Sequence, residues 1–105
     1  MRFLVKVTLP VEKGNAAIKD GSIGEKFQRI AEAIKPEAMY FTIENGQRTQ
    51  YIIVNVDDVK QMPQLAEPWW LLFDADISVS PVFTMEDFAQ MGDTMESIAK
   101  TWGQG

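Results

Sequence analysis

In RFLVKVTLP (residues 2–10), Phe3, Val5, Val7 and Leu9 alternate with Arg2, Leu4, Lys6 and Thr8. Period-two alternation marks a half-buried strand, because successive side chains leave opposite faces. Pro10 closes the strand by withholding a backbone donor. Residues 14–35 switch to helical spacing with an interruption: a short piece, NAAIKD, stops at GSIG (21–24). Beyond it Phe27, Ile30, Ala31 and Ile34 form one apolar stripe. Ser22 followed by Glu25 predicts a capping box, and Lys35 before Pro36 predicts the helix end.

AMYFTIENGQRTQYIIVNVDD (38–58) holds two β-rich runs, about 39–44 and 49–56, around Asn45-Gly46. Both residues tolerate positive φ, so the pair predicts a tight hairpin turn. In the second run Ile52, Val54 and Val56 share one face, and Tyr51, Ile53 and Asn55 the other. Asp58 can cap a helix over about 59–73, where Met62, Leu65, Ala66, Trp69, Leu72 and Phe73 share a stripe. Pro63 is tolerated near a helix start, whereas Pro68 predicts a kink or restart. DISVSPVFT (76–84) reads as a strand, placed at an edge or bulge by Pro81. Thr84 caps a final helix, about 85–101, that carries Phe88, Met91, Met95, Ile98 and Trp102.

The order is β-α-β-β-α-β plus a terminal helix, the split βαβ pattern of an α+β, ferredoxin-like domain. Its antiparallel sheet has helices on one face only. The helices then cover Phe3, Val5, Val7, Phe41, Ile43, Ile52, Val54, Ile77 and Val79. The opposite face carries Leu4, Lys6, Thr8, Tyr40, Thr42, Tyr51, Ile53, Asn55, Ser78, Ser80 and Val82. Such a mixed face suits three roles: a solvated surface, a surface covered by a second subunit, or a pocket where a few polar groups orient an apolar ligand.

Composition narrows the chemistry. The 105 residues fit one domain spanning 1–105. Net charge is −5, and the ten basic residues are scattered with no two adjacent. Nucleic acid and anionic membranes are therefore poor partners, since binding them relies on clustered Lys and Arg. No apolar run approaches the roughly 20 residues of a membrane helix, and the N-terminus lacks a signal-peptide layout, so a cytoplasmic protein is expected. Cysteine and histidine are both absent. That excludes disulfides, thiolate nucleophiles, Cys-ligated metals, and Ser-His-Asp or Cys-His catalysis. No organised set of oxygen ligands for a hard metal is visible, so no metal and no cofactor is expected.

The element order, mixed open face and terminal helix resemble the dimeric α/β-barrel superfamily. More closely, RFLVKVTLP, KPEAMYF (35–41), GQRT (46–49) and AEPWWLLFDADISVSPVFTMEDF (66–88) resemble an uncharacterised bacterial family of about this length. The resemblance implies two ferredoxin-like subunits that press their sheets together as a homodimer. The superfamily includes cofactor-free monooxygenases, haem-handling enzymes and small-molecule sensors. Its haem-handling members use a histidine that this chain lacks, and fold alone does not confer function.

Lys6, Tyr40, Tyr51 and Asn55 form the open-face candidate site. If they converge, a phenol, an amide and an ammonium can polarise a carbonyl or hold an anionic oxygen. A desolvated Lys6 with a lowered pKa can also act as a base. The same residues equally suit hydrogen bonds between subunits. Trp69 and Trp70 point about 100° apart on a helix. Trp69, in phase with Leu65 and Phe73, is expected on the sheet, leaving Trp70 for the terminal helix, a subunit boundary or a ligand. Arg48 reads as a carboxylate binder, a solvated hairpin residue or a partner of Glu44. Glu67 is a candidate buried base or a surface charge, and GSIG is a helix interruption rather than a phosphate loop.

Two functions stay open. One is a homodimer that binds a small, partly apolar molecule between sheet and helices. Lys6, Tyr40, Tyr51 and Asn55 would orient the ligand, with Trp70 and Phe73 as walls. Any catalysis would be cofactor-independent oxygenation or isomerisation. The other is a non-catalytic interaction module whose sheet face serves only to dimerise.

Overall fold

Alternation of Val5 and Val7 with Lys6 decides which way the central strand faces. In the computed structural model, which describes residues 1–104, β1 (Arg2–Thr8) pairs antiparallel with β3 (Gln47–Asn55) and β4 (Asp76–Pro81). The remaining strand, β2 (Ala38–Glu44), pairs with β3. The four strands lie in the order β2-β3-β1-β4. This order and the split connectivity are those of a ferredoxin-like α+β fold. Val5 stands between Ile52 and Val79, and Val7 between Gln50 and Ile77. Val5, Val7, Ile52 and Val54 are buried on the same side.

Three helices form the lid of that side: α1 (Val11–Lys19), α2 (Ile23–Ile34) and α3 (Met62–Phe73). Trp69 and Phe73 of α3 are fully buried. With Phe27 of α2 they make an aromatic cluster, ring centroids 5.5–6.0 Å apart and tilted. Full burial of a side chain such as Phe73 stabilises the fold by roughly 1.5–3 kcal/mol through area alone; Phe27 is partly buried, and the tilted contacts among the three rings add to the area effect. Trp69 therefore faces the sheet as its spacing predicts, and Trp70 turns outward, 45% exposed.

Local signals met different fates. Asn45 and Gly46 both have positive φ, 53° and 74°, and form the two-residue hairpin loop. Asp58 caps a 3-10 turn (Val59–Gln61) that leads into α3, in a reciprocal capping box with Gln61. Ser22 makes no side-chain cap. Its N–H donates instead to Asp20 Oδ1 at 2.8 Å, so the turn is closed by the residue two places before Ser22. Pro68 lies inside an unbroken α3. Pro81 ends β4, which is an edge strand. Phe41 and Ile43 were expected under the helices, but they are 59% and 79% exposed. They belong to an edge strand, and the helical lid stops short of it; Phe27 reaches only Phe41.

The chain after β4 behaves differently. Thr84 caps α4 (Met85–Gln90), its hydroxyl accepting from the Asp87 N–H while Asp87 Oδ2 accepts from the Thr84 N–H. A break at Met91 leads into α5 (Gly92–Trp102), so the expected single helix is two short ones. No residue of either helix is buried. The Cα radius of gyration is 17.8 Å, and the longest dimension is 59 Å. A compact domain of this length would have a radius near 13 Å. Residues 82–102 are thus an arm projecting from a compact body. No helix among the described residues is long and apolar enough to cross a membrane.

Candidate functional site

The hairpin register decides which polar groups can meet. Lys6 lies opposite Tyr51, and Tyr51 opposite Tyr40, all on the face away from the helices. Glu44, at the end of β2, shares that face because it is four residues from Tyr40. Tyr51 Oη donates to Glu44 Oε1 at 2.5 Å. The Lys6 ammonium forms an ion pair with Glu44 Oε2 and sits 5.9 Å from the centroid of the Tyr51 ring. The result is a charge-neutral triad on the open face, bordered by Leu4 and Ile53.

Its electrostatics oppose proton transfer at neutral pH. Hydrogen bonding to Glu44 raises the Lys6 pKa, against a smaller opposing effect of burial. Glu44 is held below the ordinary carboxylate range by Lys6 first and by the Tyr51 hydroxyl second. Tyr51 is raised by its bond to Glu44 and then by burial. A base works best with a pKa near the working pH. Lys6 is driven away from neutrality, so the expectation of a lowered lysine pKa is overturned: its carboxylate partner outweighs desolvation. At neutral pH Lys6 is a hydrogen-bond donor and Tyr51 a neutral phenol.

The other sequence-predicted residues lie elsewhere. Tyr40 flanks the triad and is 64% exposed. Asn55 is four residues along β3 from Tyr51, roughly 13 Å away at strand rise. Its Oδ1 accepts from the N-terminal ammonium at 3.0 Å. Trp70 and Phe73 are on α3, across the sheet from Lys6, and Phe73 is wholly within the core. A single pocket walled by all six residues is therefore not what the fold assembles; Lys6, Tyr51 and Tyr40 come together, and Asn55, Trp70 and Phe73 do not join them.

Glu44 was weighed in the sequence only as a partner of Arg48. Strand alternation forbids that pair, since Arg48 lies opposite Ile43 on the helix side. Arg48 instead crosses α1 and donates Nη2 to Asn15 Oδ1 at 3.1 Å. A Cβ at Gly14 would come within 2.5 Å of the Arg48 guanidinium, so glycine makes room for this crossing. Reading the register outward from Asn45-Gly46 would have placed Glu44 beside Tyr51. Glu67 is exposed on α3.

Asn55 contributes to a second feature, an open groove of about 580 Å³ where the arm leaves the sheet. Arg2, Glu37, Asn55 and Asp87 provide its polar rim, and Val82, Phe83 and Met91 its apolar side. Arg2 Nε donates to Glu37 Oε2 at 3.0 Å across the rim. Among the described residues no group of three or more acidic, histidine or cysteine side chains is placed to hold a metal ion.

The fold and this face define a ferredoxin-like α+β domain with one helix-covered and one uncovered sheet surface. Residues 1–96 match the family described as Domain of unknown function (DUF3303), and the chain belongs to that family. No curated protein matches it. Among solved structures it is similar to the de novo designed protein Ferredog-Diesel. The TM-score is 0.48 at 8% sequence identity, covering 77% of this chain and 85% of that one. The fold assignment rests on strand order and register.

Proposed function

We propose that the protein is a homodimeric small-molecule-binding domain whose ligand lies on the open sheet face against Lys6, Tyr40 and Tyr51. The Lys6–Glu44–Tyr51 triad carries this reading. It places a fixed ammonium and a phenol on a face that neighbouring Leu4 and Ile53 make partly apolar. Lys6 keeps N–H donors beyond the one directed to Glu44, and they suit a carbonyl or hydroxyl oxygen. The triad carries no net charge, which favours a neutral, partly apolar ligand over a strongly anionic one. The pKa directions favour binding and orientation over acid–base catalysis. A second subunit facing this sheet would exclude water and strengthen those hydrogen bonds. A cytoplasmic setting suits the cysteine-free composition.

The competing reading, an interaction module without ligand, is favoured by the exposure of Trp70 and Leu71 on α3, at 45% and 80%. Native mass spectrometry of gently purified protein, then denaturing analysis of what it releases, separates the two. The expected result is a dimer with a reproducible small molecule that Tyr51→Ala releases. A dimer that stays empty across preparations would leave the interaction module as the better reading, and a monomer would remove both.

A further inference from the structure

We propose that residues 82–102 clasp a second copy of this chain, laying the apolar stripe of α4 and α5 along the exposed β2 edge of that copy. The inference rests on the homodimer reading and names what the dimer does with its arm. Phe88, Met91, Met95, Ile98 and Trp102 recur at alternating intervals of three and four residues; Met95, Ile98 and Trp102 share one face of α5, and Phe88 of α4 and Met91 at the break precede them. Met95, Ile98 and Trp102 are 49%, 52% and 80% exposed. Helices this short are marginal in water without a packing surface. The arm's own body buries no residue of α4 or α5: the arm leaves from β4, the strand farthest from β2, and projects outward beyond the groove at its base.

The β2 edge has the complementary need. It exposes Tyr40 on one face and Phe41 and Ile43 on the other. Edge strands are ordinarily blunted by charge, proline or a covering helix. β4 has Pro81 and two serines on its exposed positions, whereas the middle of β2 has no such protection. Its flanking acids are already neutralised, Glu37 by Arg2 and Glu44 by Lys6, so an acidic arm meets no net repulsion there. Pairing of two arms is disfavoured, because each carries Glu86, Asp87, Asp93 and Glu96 against Lys100 alone.

Area points the same way. At standard strand spacing the open sheet face measures roughly 19 by 23 Å, about 440 Å². A stable interface needs about 800 Å² per partner. Sheet-to-sheet contact supplies roughly half. A helical arm of 18 residues, about 27 Å long, can supply the remainder when each subunit gives one arm and receives another.

Sedimentation equilibrium on the full chain tests this with three single variants: Ile98→Asp on the arm and Ile43→Asp on the β2 edge, both exposed, and Ile53→Asp on the open face, where the side chain is half-buried. The expected result is a wild-type dimer whose dissociation constant rises at least tenfold in both Ile98→Asp and Ile43→Asp, with far-UV circular dichroism of the body retained. An unchanged constant in Ile98→Asp, with loss in Ile53→Asp, would overturn the clasp and leave the sheet dimer standing. Loss in Ile98→Asp but not in Ile43→Asp would overturn the β2 edge as the acceptor. A monomeric wild type would overturn the clasp together with the dimer. Cross-linking of mixed light- and heavy-isotope chains adds a direct reading: links from arm to β2 should join different chains, and links confined to one chain would overturn the proposal.

Discussion

The body and the arm draw on the same residue types and put them to opposite use. Trp69 on α3 has none of its surface exposed, and Trp102 on α5 has 80%. Both lie on apolar helical stripes, so periodicity alone cannot tell them apart. What separates them is connectivity: α3 is held over the sheet by strands on both sides of it in the chain, while α5 follows the last strand. A stripe of spaced apolar residues announces a buried face without saying which molecule buries it.

The sharpest break of this comparison is a pair of truncations. Trp69→Ala should destabilise the body by about 3–5 kcal/mol, the usual cost of removing a buried aromatic ring. Trp102→Ala, measured where the protein is monomeric, should stay within about 0.5 kcal/mol. Urea unfolding followed by far-UV circular dichroism reads both. Equal losses would mean that the arm packs on its own body.

A smaller effect of opposite sign is expected at Gln50. It stands between Val7 and Phe41 on the helix side of β3, 2% exposed, and its Oε1 has no hydrogen-bond partner among the protein atoms. Gln50→Leu should raise stability by about 1 kcal/mol, because an unsatisfied buried acceptor costs about that much or more. A fall in the urea midpoint would show that the amide is satisfied in solution and contributes to the core.

On the arm, Thr84→Ala removes a cap whose typical worth is about 1 kcal/mol. The loss should appear as reduced helicity of the arm, with the unfolding midpoint of the body unchanged. A shifted body midpoint would tie the two regions into one cooperative unit.

The smallest effects divide by pH. Glu44 in the body and Asp87 in the arm both have depressed pKa values. Lys6 and then Tyr51 cause the first; the Thr84 backbone and then its hydroxyl cause the second. A depressed acid stabilises the folded form above its unfolded value, near 4, and that contribution is lost as pH falls through the folded value. Lys6 and Tyr51 have raised values, so their contribution holds below about pH 10 and is lost as pH rises further. Melting temperatures should therefore fall gently at both extremes. Glu44→Gln should flatten the acid decline of the body and Asp87→Asn that of arm helicity. All four groups are solvent-accessible, so screening keeps the effects small.

The body was largely legible from sequence. Alternation in β1 assigned its faces, Asn45-Gly46 set the hairpin, and the phase of Trp69 with Leu65 and Phe73 separated two adjacent tryptophans. What stayed hidden depends on distances between elements. Phe41 and Ile43 have the pattern of covered residues, yet the lid ends before them, and no local rule reports how far a helix reaches across a sheet. Ser22 matched a cap but lost its role to Asp20, two residues away. Of the candidate site, Lys6 with Tyr51 follows from register, whereas Glu44 required extending that register to the turn, and the separation of Phe73 from Lys6 required knowing which face each element covers.

The β2 edge has one further consequence, in the currency of aggregation. Ala38–Ile43 reads AMYFTI, six residues rich in strong β-formers, with neither charge nor proline. Such a window on an open edge is a template for cross-β growth. Glu37 and Glu44 bracket it as gatekeepers. Acid that protonates Glu44 frees Lys6 and also removes a guard from this template. Fibril growth, followed by thioflavin fluorescence, should therefore accelerate once pH falls below the ordinary carboxylate range, through the depressed Glu44 value, and Ile43→Lys should suppress it. Resistance of this edge to fibril growth in acid then depends on the Glu44 carboxylate at the end of one strand.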